Sequence, residues 1–229
     1  MRELQIETGE IYHICNRSIG GEKIFSKSDF AGHFLETLFL VNTTDSRLLN
    51  WRREKLHSGI LEFKGDRLAD IYALVLMPDH FHILAKQLID GGVAILCQRL
   101  CNSFARYYNL TSERKGRLFL GPYRAVHISN DAQAAHIFTY MHGNPLDLIV
   151  PEWREGGVKN WEKAEKFLKS YPWSSLGAYT DAKTHNFIKD IINKDFASDY
   201  FDKSDDYLLQ IKDWSERQNE FGDDLPLLE

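Results

Sequence analysis

The sequence predicts an α+β protein: a ferredoxin-like, or split βαβ, antiparallel sheet with helices packed on one face and a helical extension at the C-terminus. Two observations support this prediction. Segments whose apolar pattern indicates strands alternate with segments whose 3.6-residue period indicates helices. Their order is strand, helix, strand, strand, helix, a less regular fourth strand and helix, and two consecutive strands between helices are typical of this fold.

The clearest strand signal lies in the middle of the chain. Residues 71–77 form a nearly unbroken apolar run with the length and β-branched content of a buried strand. Pro78 and Asp79 end this run, because proline lacks a ladder donor and aspartate favours a turn. Strands are expected at 9–17, 71–77, 80–85 and within 115–128.

Apolar stripes mark the helices, and short polar side chains that can cap a helix mark their starts. Ser28 and Asp29 precede the first stripe, and Ser129 to Asp131 precede the third. The charged segment 42–67 is interpreted as a helix extension plus an insertion. Helices are expected over about 30–41, 93–110, 131–143, 158–170 and 200–221, the last as a charged surface helix.

Length and composition favour one sizeable domain. The chain has 229 residues, 43% of them hydrophobic, which suffices for a domain at 1–180 with an acidic helical extension at 181–229. No run approaches the roughly 18 apolar residues that cross a bilayer, and the N-terminus lacks a signal-peptide core. We therefore expect no membrane partner and a cytoplasmic location.

The charge is unevenly distributed. The net charge is −5, but residues 181–229 hold six basic and thirteen acidic side chains, whereas residues 86–127 hold seven basic and two acidic ones. A basic stretch inside a mildly acidic chain is compatible with a nucleic-acid groove. It is equally compatible with a solvated helix face.

Two histidines follow the turn at 78–79. Because alternate side chains of a strand share a face, His80 and His82 point to one side of the sheet and Phe81 to the other. Two imidazoles on one face form half of a metal site. The alternative is a pair of ordinary, half-exposed strand histidines, and spacing alone does not decide.

A late helix carries a second group of polar side chains. Tyr140 and Asn144 are four residues apart and so are neighbours on one helix face, with His136 one turn earlier. An amide oxygen combined with imidazoles suits Mg²⁺ or Mn²⁺, and the tyrosine would serve as a nucleophile. The alternative makes Tyr140 a core-edge residue and Asn144 a helix C-cap. Pro145 disfavours helical backbone at Asn144, so a distorted last turn is expected.

Five short segments together indicate a family. They read Tyr-His-Ile-Cys-Asn-Arg at 12–17, Met-Pro-Asp-His-Phe-His at 77–82, Gly-Arg-Leu-Phe at 116–119, Tyr-Met-His-Gly-Asn-Pro at 140–145 and Pro-Trp-Ser-Ser at 172–175. In this order and spacing, they resemble the REP-associated tyrosine transposases, a group of single-tyrosine HUH transposases. The resemblance covers residues 8–180.

The resemblance implies a role for each matched residue. His80 and His82 would bind a divalent metal, Asn144 would be its third ligand, and Tyr140 would be the nucleophile. Asp79 stands where the family more often has Asn, and it either orients a histidine or closes the turn. His136 is a candidate base for Tyr140.

The resemblance also implies a reaction and a substrate. We expect a metal-dependent transposase, using Mg²⁺ or Mn²⁺, that forms a 5′-phosphotyrosine on single-stranded or hairpin DNA in the bacterial cytosol or nucleoid, as a monomer or homodimer. Alternatives are a hairpin-DNA-binding protein without turnover and a metal-dependent hydrolase. The expected base-stacking residues are Tyr107, Tyr108, Phe119 and Tyr123, each with a core role as its alternative. The expected phosphate contacts are Arg99, Arg106, Arg114, Lys115, Arg117 and Arg124.

Overall fold

One four-stranded sheet organises the protein. The computed structural model describes residues 5–47, 49, 54, 65–180, 183–198 and 204–217. In this part of the chain the sheet is antiparallel, in the order β2-β3-β1-β4. Its strands are β1 (Ile11–Arg17), β2 (Ala69–Leu76), β3 (His80–Gln87) and β4 (Arg124–Ile128). This order is that of the split βαβ arrangement, so the predicted ferredoxin-like α+β fold is confirmed.

A tight hairpin joins β2 to β3. Pro78 and Asp79 occupy its turn, and the backbone N–H of Met77 donates to the carbonyl of His80 at 2.8 Å. Proline is tolerated here because the turn requires no ladder donor at that position. The hairpin therefore places His80 at the first position of β3, beside the turn.

Nine helices lie in the described residues. The longest are α1 (Ser28–Val41), α2 (Gly92–Thr111), α3 (Asp131–Gly143) and α9 (Ser204–Arg217). The shorter ones are α4 (Trp153–Gly156), α5 (Trp161–Ser170), α6 (Leu176–Tyr179), α7 (Asn186–Ile191) and α8 (Asp195–Ser198). Two 3-10 turns occupy Ile19–Gly21 and Asn144–Leu148.

The predicted helix starts had different outcomes. Asn130 caps α3, since its side-chain oxygen accepts from the N–H of Gln133 at 2.9 Å. The predicted capping of α1 by Ser28 or Asp29 is wrong, because the helix already begins at Ser28 and its cap position is Lys27, which makes no side-chain cap bond. α1 ends at Val41, and most of the predicted insertion at 42–67 lies outside the described residues.

Helices cover both faces of the sheet rather than one. Phe81 and Ile83 of β3 point into a core with α1 and α2, where Phe34 and Phe104 pack. The opposite face packs against α3, through residues such as Phe138. Alternation along β3 therefore turns His80 and His82 away from α1 and α2, toward the side where α3 lies.

The charged helix near the C-terminus is docked on this second face. In α9, the buried side chains Tyr207, Leu208, Ile211 and Trp214 join the core that contains α3. They recur at helical spacing, which produces one apolar stripe on an otherwise charged helix. The boundary between a domain at 1–180 and an extension at 181–229 stays a prediction. Of the described helices, none has the length and apolar character needed to cross a membrane.

Candidate active site

The two histidines of β3 lie on one face, as their spacing predicts. The ring centroids of His80 and His82 are 4.9 Å apart, with the planes nearly perpendicular. His82 is buried, whereas His80 is partly accessible at the turn. Both imidazoles therefore belong to one site that opens toward the β2–β3 turn.

One nitrogen of each imidazole is held by a neighbouring side chain. Nδ1 of His80 lies 2.5 Å from Oδ1 of Asp79, which also occupies the β2–β3 turn, so both roles considered for Asp79 stay predictions. Nδ1 of His82 lies 2.9 Å from Nε2 of His13, a buried residue of β1 that the sequence analysis did not single out. Each ring thus keeps its Nε2 as a candidate metal-ligating atom.

All three imidazoles favour the neutral form. Burial lowers the pKa of His13 to about 4. Burial, with smaller contributions from His13 and His80, holds the pKa of His82 well below its ordinary value. Burial also lowers the pKa of His80, and the Asp79 carboxylate opposes this effect only in part. At neutral pH these rings therefore carry lone pairs, as metal ligation requires.

Tyr140 lies beside these imidazoles. It projects from α3, and its ring centroid is 6.0 Å from that of His82 and 6.3 Å from that of His13, with edge-on geometry in both cases. The structure thus brings the predicted tyrosine beside His82, one of the two predicted histidines. Tyr140 is only 1% exposed, so the ring is enclosed in this conformation.

Asn144 sits directly after the tyrosine helix. Its backbone is still helical, with φ −49° and ψ −37°, and its N–H donates to the carbonyl of Tyr140. After Gly143 the chain tightens into the 3-10 turn, which accommodates Pro145 and accounts for the distorted last turn expected from the sequence. Asn144 is buried, one helical turn from Tyr140.

Arg154 is the residue that the sequence analysis missed most completely. Its guanidinium donates to Oδ1 of Asn144 at 2.8 Å and lies 5.3 Å from the ring centroid of Tyr140. It also forms a two-pronged pair with Asp147, at 2.7 and 2.9 Å. No short motif marks Arg154, because it reaches the site from α4, ten residues beyond Asn144.

The donor set fits a divalent metal in part. His80 and His82 lie on one face of the sheet, and Nδ2 of Asn144 is buried without a hydrogen-bond partner among the described residues. The amide oxygen of Asn144, however, is engaged by Arg154. In the described residues no cluster of three or more His, Cys, Asp or Glu side chains forms a metal site. The predicted donors are the two imidazoles and the Asn144 amide, whose oxygen is a kind of ligand that Mg²⁺ accepts.

His136 lies apart from the imidazole pair. Its Nδ1 accepts a hydrogen bond from Nε1 of Trp214 at 3.1 Å, and it packs on that indole in the contact between α3 and α9. Burial lowers its pKa. A base that already accepts from Trp214 is poorly placed to take the proton of Tyr140.

The predicted phosphate contacts are spread over several surfaces. Arg99 and Arg106 lie on α2, which packs on the opposite face of the sheet from Tyr140, and Arg99 donates to the carbonyl of Thr43 at 2.7 Å. Arg114 is paired with Glu22 at 2.9 Å. Lys115 and Arg117 are exposed in the segment before β4, and Arg124 begins β4.

An open cavity adjoins His80. It has a volume of about 330 Å³ and is lined by Cys15, Asn16, Arg17, His80, Leu120, Gly121, Pro122 and Arg124. Among the six predicted phosphate contacts, Arg124 is the one that lines this cavity. Arg17, which the sequence analysis did not select, lies opposite His80 in the sheet register.

Fold and site together define an α+β protein of the split βαβ type, with a buried tyrosine next to paired strand histidines. Its structure is similar to that of a REP-associated tyrosine transposase bound to a REP hairpin, with 13% sequence identity and a TM-score of 0.46 over 78% of this chain and 84% of that one. It is also similar to a provisionally assigned transposase from Deinococcus radiodurans R1, with 16% identity and a TM-score of 0.35 over 61% of this chain and 95% of that one. No protein-family model and no curated protein matches the chain.

Proposed function

We propose that the protein cleaves and rejoins single-stranded or hairpin DNA through a covalent bond to Tyr140. The observation that carries this proposal is the convergence of Tyr140 with His82 and His13, whose ring centroids lie within 6.3 Å of that of Tyr140. A phenol beside neutral imidazoles combines a nucleophile with candidate ligands for Mg²⁺ or Mn²⁺. A buried core tyrosine would not require such neighbours.

The proposed reaction has two reversible steps. The Oη atom of Tyr140 attacks a DNA phosphorus, the bond from phosphorus to the 3′ oxygen breaks, and that oxygen leaves with a proton as a 3′-hydroxyl. Tyr140 gives its own proton to water and remains joined to the 5′ phosphate. Attack by a 3′-hydroxyl on this bond rejoins a strand without a nucleotide cofactor, because the phosphodiester energy is retained in the phosphotyrosine.

Several residues of this chain support the reaction. Asp79 and His13 orient the two metal-facing imidazoles through their Nδ1 atoms. Arg154 places a positive charge 5.3 Å from the ring centroid of Tyr140, where it favours a developing phenolate electrostatically. A bound divalent metal would polarise the scissile phosphate.

A second candidate function is favoured by the enclosure of the site. Tyr140, His82 and Asn144 are each 1% exposed, and Arg154 occupies the amide oxygen of Asn144. A protein that binds hairpin DNA without turnover would keep its tyrosine in this state. Catalysis instead requires Arg154 and its neighbours to move when DNA binds.

One experiment separates these functions. The protein is incubated with end-labelled hairpin DNA carrying single-stranded flanks and Mn²⁺, and denaturing gels reveal covalent adducts. We expect an adduct for the wild type, none for Tyr140→Phe, and an unchanged adduct for the control Tyr107→Phe, whose ring stacks on His33 away from the site. Cleavage without adduct would indicate a hydrolase, and a mobility shift alone would indicate a binding protein.

A further inference from the structure

One wall of the cavity beside His80 is formed by an exposed leucine. Leu120 is 59% exposed, although its neighbours Leu118 and Phe119 are packed in the core. The backbone N–H of Leu120 donates to the carbonyl of Arg17 at 2.9 Å, and Nδ2 of Asn16 donates to the carbonyl of Gly121 at 3.3 Å. These bonds anchor the segment to β1, so the exposure of Leu120 is imposed by the fold.

The cavity combines an apolar wall with a positively charged edge. Leu120 and Pro122 supply flat apolar surface, while Arg17 and Arg124 supply two guanidinium groups. The side chain of Arg17 is 45% exposed and lies 3.6 Å from Asp79, a separation at which it can turn toward a ligand. Apolar surface for a ring and arginines for a phosphate are the two elements that bind an unpaired nucleotide.

The aromatic side chains expected to stack on bases are used elsewhere. Tyr107 stacks on His33 with centroids 3.6 Å apart, and the hydroxyl of Tyr108 donates to Glu22 at 2.9 Å. Phe119 is 7% exposed and belongs to the core with α1 and α2, and Tyr123 is partly buried against the same core. A DNA base at this site therefore needs a different apolar surface, and the wall formed by Leu120 and Pro122 provides it.

The position of the cavity relates it to the reacting phosphate. Arg17 pairs with His80 in the register of β1 and β3, and Cys15 pairs with both His82 and Arg124. His80 lines the cavity, as do Arg17 and Cys15, the register partners of the two imidazoles, so the cavity adjoins the imidazole pair. A DNA strand whose scissile phosphate lies at His80 would place its next nucleotide in this cavity.

We propose that this cavity binds one unpaired nucleotide of the DNA strand, directly adjoining the phosphate that Tyr140 attacks. Its base lies against Leu120 and Pro122, and its phosphate lies between Arg17 and Arg124. This assignment rests on the proposed function and adds to it a subsite that reads one position of the single-stranded flank.

The test compares DNA with and without each unpaired base. Affinity of the Tyr140→Phe protein is measured by fluorescence anisotropy for a labelled hairpin whose flank carries one abasic site, moved along the strand. We expect a single position where base removal weakens binding about 5-fold or more, since the apolar contact of the base with Leu120 and Pro122 is lost. In the Tyr140→Phe background, adding Leu120→Ala should weaken binding to the intact DNA. It should also abolish the effect of base removal at that position.

The control is Leu110→Ala, which removes a leucine that is 71% exposed near the end of α2 and should leave the sensitivity unchanged. Because Leu120 is exposed, its replacement should not alter the thermal unfolding midpoint, which is checked in parallel. DNA binding without any sensitive position, or with the same sensitivity in Leu120→Ala, overturns the nucleotide subsite alone. Failure of the wild type to bind any DNA would overturn the proposed function and the subsite with it.

Discussion

His13 and His82 form a hydrogen-bonded pair of neutral imidazoles inside the sheet. Nε2 of His13 lies 2.9 Å from Nδ1 of His82, and the rings are stacked with centroids 5.0 Å apart. Since both are neutral, one ring must donate the shared proton and the other must accept it. His82 can offer the lone pair of Nε2 to a metal only when its own Nδ1 carries the proton and His13 accepts it.

This relationship predicts that His13 controls metal binding without touching the metal. His13→Phe should lower Mn²⁺ affinity about 10- to 100-fold, because His82 then loses the partner that fixes its tautomer and orientation. His13→Asn, which retains an acceptor, should recover part of the affinity. Mn²⁺ binding is measured by calorimetry and by electron paramagnetic resonance on the protein alone.

The control for this prediction is His127→Phe. His127 lies on the neighbouring strand β4, where it contacts Tyr12 and pairs with Glu10. The His127→Phe protein should bind Mn²⁺ with the affinity of the wild type. Equal affinities for His13→Phe and wild type would show that the pair has no part in metal binding.

Arg124 and Arg99 should contribute unequally to DNA binding, although the sequence marks both as basic. Arg124 lines the cavity beside His80, whereas Arg99 lies on α2 and donates to Thr43. Arg124→Gln should weaken binding and reduce the slope of log affinity against log salt by about 1, since one phosphate contact is lost. Arg99→Gln should leave that slope unchanged. Slopes are measured by anisotropy over a salt series, and identical slopes for the two variants would place the DNA elsewhere.

Stability should fall in mildly acidic solution because of buried histidines. Nε2 of His142 lies 2.7 Å from the hydroxyl of Ser175, and burial lowers the pKa of His142 to about 3. In the unfolded chain His142 binds a proton near pH 6.5, whereas in the folded chain it stays neutral until a much lower pH. Its contribution to stability is therefore fully present above pH 6.5 and is lost as the pH falls toward 3. Between pH 7 and pH 5 this one residue should cost about 2 kcal/mol.

The measurement is urea unfolding of His142→Gln at both pH values. The variant will be less stable at pH 7, but its loss between pH 7 and pH 5 should be smaller than the wild-type loss by about 2 kcal/mol. If His142→Gln loses as much stability between pH 7 and pH 5 as the wild type does, the ring of His142 is protonated in the folded protein.

Gly143 should be irreplaceable despite its place in a helix. Alanine normally favours a helix by about 1 kcal/mol over glycine. At this position, however, a Cβ would lie 2.7 Å from Cη2 of Trp153 and 3.4 Å from Cγ2 of Ile211. Gly143→Ala should therefore destabilise the protein by about 1–3 kcal/mol, as overpacking does.

Thermal and urea unfolding of Gly143→Ala test this prediction against Gly156→Ala. Gly156 closes α4, and among the described residues no atom outside its own helix backbone and its two chain neighbours lies within 4 Å of the position of an added Cβ. That variant should be neutral within about 0.5 kcal/mol. A stabilised Gly143→Ala protein would mean that helix propensity outweighs the contact between α3 and α4.

The sequence by itself determined the sheet and the shared face of its histidines. Period-two alternation places His80 and His82 together, and the Pro78–Asp79 turn ends β2, because both depend on residues that are adjacent in the chain. The same local reasoning located α3 and placed Tyr140 one turn from Asn144. His82 and Tyr140 are 58 residues apart in sequence. Only the family resemblance predicted that they belong to the same site.

Only the tertiary structure decided which distant side chains share this site. His13 contacts His82 because β1 pairs with β3. Arg154 contacts Tyr140 from the four-residue helix α4. Trp214 donates a hydrogen bond to His136 because α9 packs on α3. The apolar stripe of α9 is visible in the sequence, but the face that it covers is not. Packing between elements depends on shape and burial summed over the whole chain, and a local pattern carries neither.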